Sequence, residues 1–219
     1  MCIRDRGLIE PLGLLVLKLA AAQLGTWVDA GNDIYVSVNV SVKQLQNPSV
    51  VRTLSEAVED AGLAFERVLL EVTESVFVAD KDLVADRLQK LREKGFRITI
   101  DDFGTGYSSL QYLQQFDFDV LKIDKSFVDR IGTADDTGMV QAVLDLANRM
   151  GAVTVAEGIE AAQQATALRS LRCELGQGYY FARPMSAEKT AHALASEPLP
   201  LRSPNESEVD VITPIAKSA

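Results

Sequence analysis

Chemistry-bearing side chains of the soft and titrating kind are scarce in this chain. Its 219 residues include two cysteines, Cys2 and Cys173, and one histidine, His192. Two cysteines so far apart build no disulfide framework, which points to a reducing cytoplasmic compartment. No Cys and His cluster exists to favour zinc, and there is no plausible Cys nucleophile, so any hydrolysis would have to use a metal-activated water. His192 lies in an apolar-rich final helical stretch far from every strand end and reads as an ordinary packed or surface residue. Basic charge is also short: 22 Lys and Arg face 31 Asp and Glu, a net charge of −9. That balance argues against a groove for polymeric nucleic acid, which needs a basic footprint. The longest apolar run, Leu12 to Ala22, is interrupted by Lys18 and falls short of the roughly 20 residues a bilayer span needs, so no membrane contact and no signal peptide are expected.

What the chain does have is a repeated alternation, with hydrophobic residues at 47%. Short β-branched runs at Ile34 to Asn39, Val68 to Thr73, Arg97 to Ile100, Val120 to Asp124, Ala152 to Glu157 and Cys173 to Leu175 read as strands. Amphipathic stretches at Pro11 to Ala30, Ser49 to Ala61, Asp82 to Lys94, Thr137 to Met150, Ala161 to Leu171 and Ser186 to Ala195 read as helices, several stopping at a glycine. Strands separated by helices indicate parallel βα units. A closed barrel of such units has eight strands, so a chain showing six is either an open sheet or a barrel without its first two strands.

Polar residues recur at the strand ends, where such a fold gathers them at one mouth. Asn39, Glu71 with Glu74, Asp101 with Asp102, Lys122 and Glu157 occupy these positions. Asp101-Asp102 is the most telling, because adjacent carboxylates repel and either face water as part of a turn or share a cation. Carboxylates and an Asn oxygen are hard ligands suited to Mg²⁺ or Mn²⁺. Two such ions can serve an in-line phosphodiester displacement without any histidine. Lys122 reads either as a lysine snorkelling from a strand or as a buried cation needing anionic neighbours. Gly104-Thr105-Gly106 lacks a P-loop lysine and a full dinucleotide fingerprint, and reads as a glycine-rich loop ending at a Ser108 or Ser109 cap. Phe116, Phe118, Tyr179, Tyr180 and Phe181 read as core.

Seven blocks in order carry a family resemblance: Gly7-Leu8-Ile9-Glu10-Pro11-Leu12-Gly13, Val38-Asn39-Val40-Ser41 with Gln44-Leu45, Leu70-Glu71-Val72-Thr73-Glu74-Ser75, Asp101-Asp102-Phe103-Gly104-Thr105-Gly106, Leu121-Lys122-Ile123-Asp124, Val155-Ala156-Glu157-Gly158-Ile159-Glu160 and Gln177-Gly178-Tyr179-Tyr180-Phe181. Together they resemble the EAL domain, which hydrolyses the bacterial second messenger cyclic di-GMP to the linear dinucleotide. The resemblance implies an α/β fold of the (β/α)8 TIM-like type, here expected without its first two strands. It implies metal ligation by Asn39, Glu71, Asp101, Asp102 and Glu157 in a two-metal Mg²⁺ or Mn²⁺ site, with Asp101 bridging. Lys122 would orient the attacking water, and Glu157 would act with it. Glu74 would steady the loop after Asp102. Gln177 would contact substrate, as would Glu160 unless it is merely a solvated helix start.

The family's Glu-Ala-Leu strand, whose Glu is a further ligand, would lie upstream of Gly7. Residues 1–6 do not resemble the family and read as a foreign start, 7–196 as the phosphodiesterase domain, and the Pro- and Ser-rich 197–219 as a disordered tail. An impaired phosphodiesterase is one expectation; the other is an inactive module binding cyclic di-GMP or a protein. A homodimer through the loop after Asp102, an upstream sensor or GGDEF-type domain, and tethering to a membrane only through such upstream parts complete the expectations.

Overall fold

A computed structural model describes residues 7–74, 76, 81–104, 116–131 and 137–195. The chain divides into two compact units, Met1–Leu121 and Lys122–Ala219.

In the first unit, helix α1 (Ile9–Asp29) buries Leu17, Ala20, Ala21, Leu24 and Trp27, a three- and four-residue spacing that lays one face on the core. Pro11 is tolerated because it sits in the first turn, where backbone N–H groups have no intrahelical acceptor. Strand β1 (Val36–Asn39) follows, then short α2 (Val42–Gln46) and α3 (Val50–Glu59). A 3-10 turn at Phe65–Arg67 leads into β2 (Val68–Thr73), and α4 (Lys81–Glu93) leads into β3 (Arg97–Phe103). The sequence signals hold closely for the helices and for two strands: α3 and α4 end just before the expected Gly62 and Gly95, and β1 and β2 fall within the expected runs. The expectation missed α2, because five residues show no helical period; its signal is the capping box in which Ser41 and Gln44 satisfy one another.

Strands β1, β2 and β3 pair in parallel, with Asn39 beside Glu71, Glu71 beside Thr99, and Thr73 beside Asp101. Parallel partners share a sheet face and side chains alternate along a strand, so Asn39, Glu71, Thr99 and Asp101 all point to one side. Val38, Leu70, Val72, Ile98 and Ile100 point to the other and are buried beneath the helices. The alternating Phe and Asp residues before β4 support this sheet too, since Asp119 N–H donates to Ile98 O and the Asp119 carboxylate accepts from Ile98 N–H.

One expectation is corrected here. The strand read as ending at Ile100 runs on to Phe103, so Asp101 and Asp102 lie inside β3 rather than in the turn beyond it. Asp102 nonetheless has φ of 55°, a left-handed conformation uncommon in any residue but glycine. The strand bends at the second acid, and Asp102 N–H donates to the Asp101 carboxylate.

Strand β4 (Val120–Ile123) runs across the division between the units; in the second unit α5 (Lys125–Val128) follows it after Asp124, and α6 (Thr137–Met150) precedes β5 (Val153–Ala156). Helix α7 (Ala162–Ser170) leads to the two-residue β6 (Leu175–Gly176), parallel to β5, and α8 (Ala187–Ala195) follows. The Ser186 cap is present, its Oγ accepting from Lys189 N–H. The aromatic expectation holds for Phe116 and Phe118, which are buried, but not for Tyr179 and Tyr180, which are 53% and 37% exposed. Glycine at 178 lets the backbone after β6 double back against Ile159, and this turns both tyrosines outward.

Helix α1 is also the one helix among the described residues with the length and apolar content to cross a membrane, a possibility the Leu12 to Ala22 count did not register. Leu17, Ala20, Ala21, Leu24 and Trp27 pack within the first unit, while 28% of the most apolar 18-residue window is buried.

Candidate metal and phosphodiester site

The candidate site residues fall in both units. In the first, Glu71 and Asp101 are buried at 6% and 2% exposure, while Asn39 at the end of β1 is exposed. Thr99, between Glu71 and Asp101 on the same face, has a buried hydroxyl with no hydrogen-bond partner among the described residues. A row of acids beside an unsatisfied hydroxyl is a costly interior for a protein core and a suitable one for polar ligands. Glu74, also buried, reaches across to accept from Gly104 N–H at 2.9 Å, which ties the segment after β2 to the chain just after Asp102. The glycine-rich loop expected at Gly104 to Gly106, with its Ser108 or Ser109 cap, falls on residues 105–115, which lie outside the described residues.

In the second unit, Lys122 and Glu157 form a buried ion pair, Nζ to Oε1 at 2.7 Å, with side chains 4% and 9% exposed. The snorkelling alternative for Lys122 is therefore set aside. Glu157 N–H donates to Ile123 O, fixing the glutamate just past the end of β5 beside the lysine strand. Asp124, on the alternate position, caps α5 by accepting from Ser126 N–H. Gln177 is half-buried, and its backbone brackets the segment around Glu157: its N–H donates to Ala156 O and its carbonyl accepts from Ile159 N–H. Glu160 is exposed and paired with Lys125. Lys125 was absent from the sequence-based residues; an offset of 35 residues, repeated from Lys122 and Glu157, is the signal that could have found it.

The donor types suit a hard divalent ion: in the first unit Glu71, Asp101 and Asp102 carry carboxylates and Asn39 an amide oxygen, and in the second unit Glu157 carries a carboxylate, while Cys173 lies beside Leu175 and His192 is exposed on α8.

This geometry has close relatives. The EAL domain family matches residues 1–184. The chain belongs to the EAL domain family. A cyclic di-GMP phosphodiesterase of Pseudomonas aeruginosa, NbdA, is 41% identical over 181 residues, and an uncharacterized signaling protein of Caulobacter vibrioides is 42% identical over 181. Each alignment takes in 82% of this chain but only 23% and 22% of the relative, so the chain spans about a quarter of these proteins. Among solved structures, the PaMucR phosphodiesterase in complex with c-di-GMP superposes with a TM-score of 0.82 at 37% identity, covering 86% of this chain and 77% of that one. The EAL domain of Mycobacterium smegmatis DcpA superposes at 0.80 and 37% identity, covering 84% of each. The fold is thus the α/β, TIM-like barrel type of EAL domains, with six parallel-type strands among the described residues.

Proposed function

We propose that this EAL domain hydrolyses cyclic di-GMP to the linear dinucleotide with Mg²⁺ or Mn²⁺. The observation that carries the reading is the buried Lys122–Glu157 pair, in a family whose solved relatives include a c-di-GMP complex. A structural ion pair of this kind contributes little to stability because desolvation offsets its attraction, so its retention favours a chemical role.

In this reading Asn39, Glu71, Asp101, Asp102 and Glu157 supply the metal ligands, drawn from the ends of β1, β2 and β3 and from the residue after β5. When bound, the divalent ions supply Lewis acidity toward the phosphodiester and lower the pKa of water. Lys122 holds the attacking water in line through its ammonium and offsets charge gathering on the phosphate. Glu74 keeps the chain after Asp102 in place through Gly104. Gln177 is a substrate contact. Glu160 serves substrate indirectly, since its carboxylate is already engaged. Residues 7–196 form the domain, the enzyme works in the cytoplasm, and longer relatives suggest sensor domains in the parent protein and dimer contacts through the loop after Asp102.

The test is turnover of cyclic di-GMP by the 219-residue chain, and by the chain within a full-length parent, with Mg²⁺, Mn²⁺ or EDTA. Linear product that appears only with a divalent ion, and that Glu157→Gln and Lys122→Ala each abolish, supports the reading. Binding of the nucleotide by the full-length parent with no cleavage under any ion replaces the enzyme with a binding module.

A further inference from the structure

The segment after β5 is fastened by a repeated pairing of charges. Lys122 meets Glu157 and Lys125 meets Glu160, two lysine–glutamate bridges with the same offset of 35 residues, the inner one buried and the outer one exposed. Between them lies Gly158. Its φ is 69°, and a Cβ placed there would stand 2.4 to 2.6 Å from Cβ, Cγ and Cδ of Lys125. The lysine stem therefore lies flat across the glycine backbone, and its ammonium reaches over to Glu160 Oε1 at 2.7 Å and Asp129 Oδ1 at 3.1 Å.

Other contacts close the same segment from its far side. Gln164 accepts through Oε1 from Glu160 N–H and Ala161 N–H, and its amide donates to Val128 O in α5. Ile159 N–H donates to Gln177 O, and Tyr180 N–H donates to Ile159 O. Gln164 and Gln177 act through amide and backbone hydrogen bonds, whereas Lys125 is a charged tie on the outer face that crosses Gly158.

We propose that Lys125 is a positioning residue: strapped over Gly158 onto Glu160, it holds the backbone that sets Glu157 against Lys122. This deepens the phosphodiesterase reading and rests on it for its catalytic consequence, but its structural claim stands alone. Exposed ion pairs of this kind are worth about two- to fivefold in an equilibrium, so the strap tunes the site rather than creating it.

The experiment compares the 219-residue chain with Lys125→Met, Lys125→Arg, Glu160→Lys and the exchanged pair Lys125→Glu/Glu160→Lys. Amide hydrogen exchange is followed by NMR at Glu157 and Ile159, with Leu70 as a distant control, and Mn²⁺ affinity by EPR. Lys125→Met and Glu160→Lys should speed exchange at Glu157 and Ile159 and weaken Mn²⁺ by about threefold each, with Leu70 unchanged. Lys125→Arg should restore both, and the exchanged pair should restore them only in part, because a glutamate at 125 faces Asp129. Where cyclic di-GMP is turned over, Lys125→Met should lower kcat with KM unmoved. Exchange at Glu157 that ignores Lys125→Met, or that Lys125→Arg does not restore, overturns the strap whatever the activity. Exchange that follows the series in proteins that never cleave the nucleotide keeps the strap and removes the enzyme.

Discussion

Lys122 and Glu157 sit 2.7 Å apart with almost no access to water, and neither charge is cheap to leave alone there. Lys122→Met should lower unfolding free energy by about 3–5 kcal/mol, because a buried carboxylate loses its lysine, while Lys122→Met/Glu157→Leu should recover most of that loss. Urea denaturation of the three variants checks it; a double variant no better than the single would mean the carboxylate keeps its charge through other neighbours. Thr99 makes the opposite case. Its buried hydroxyl lacks a partner, so Thr99→Val should stabilise the metal-free protein by about 1 kcal/mol. Cys173 gives the pH dependence. Burial, ahead of its other surroundings, pushes the thiol above its ordinary range. A raised acid is one whose protonated form folding favours, so this contribution is complete below the unfolded thiol's pKa of about 8.5 and fades as pH rises through the higher folded value. At pH 8.5, Cys173 in a Cys2→Ala chain should alkylate with iodoacetamide more slowly folded than in urea.

At the scale of elements, legibility from sequence followed how local the physics is. Helices α3, α4 and α6 declared themselves because a 3.6-residue period and a terminal glycine are written within one segment. Strands β1 to β3 declared themselves through β-branched runs whose acids alternate with apolar residues. The extension of β3 to Phe103 was not legible, because two acids and a phenylalanine look like a turn until a neighbouring strand supplies hydrogen bonds. Tyr179 and Tyr180 misled for a related reason, their direction being set by the contact of Gly178 with Ile159 and not by their own hydrophobicity. A Cβ at 178 would lie 2.1 Å from Ile159 O and 2.3 Å from Ile159 N, backbone atoms that cannot step aside. Gly178→Ala should therefore cost more than about 2 kcal/mol, whereas Gly138→Ala in α6, with open space around it, should gain about 0.5–1 kcal/mol. Thermal unfolding of both variants separates a glycine needed for close approach from one that is not. Helix α1 also displays Leu8, Leu12, Leu15 and Leu19 on its outer side, each between 41% and 63% exposed. Leu15→Glu/Leu19→Glu should reduce light scattering of concentrated protein while leaving the thermal midpoint within a degree or two.

On the two-metal proposal, a net charge of −9 with buried carboxylates makes cation binding a stabilising event for the molecule as a whole. Mn²⁺ at a hundred times its dissociation constant should raise unfolding free energy by about 2.7 kcal/mol, seen as a rising midpoint that Asp101→Asn largely removes. A midpoint that ignores Mn²⁺ would falsify the metal assignment without touching the fold. The candidate ligands were legible because a parallel α/β sheet puts strand ends where chemistry happens; the strap was not, because Lys125 is an unremarkable surface lysine until Gly158 is found beneath it.

The shared register of Asn39, Glu71, Thr99 and Asp101 also governs which changes of length this gene can survive. Strand β2 alternates between an acid-bearing side and a greasy one, so losing a single codon within Val68 to Glu71 would drive Glu71 into the helix layer and present Leu70 to the acids. In a library of single-codon deletions, β2 should therefore be a desert bordered by permissive turns. Survivors should gather around Gly31 and Gly62, where the chain pauses between elements and no face has to be kept.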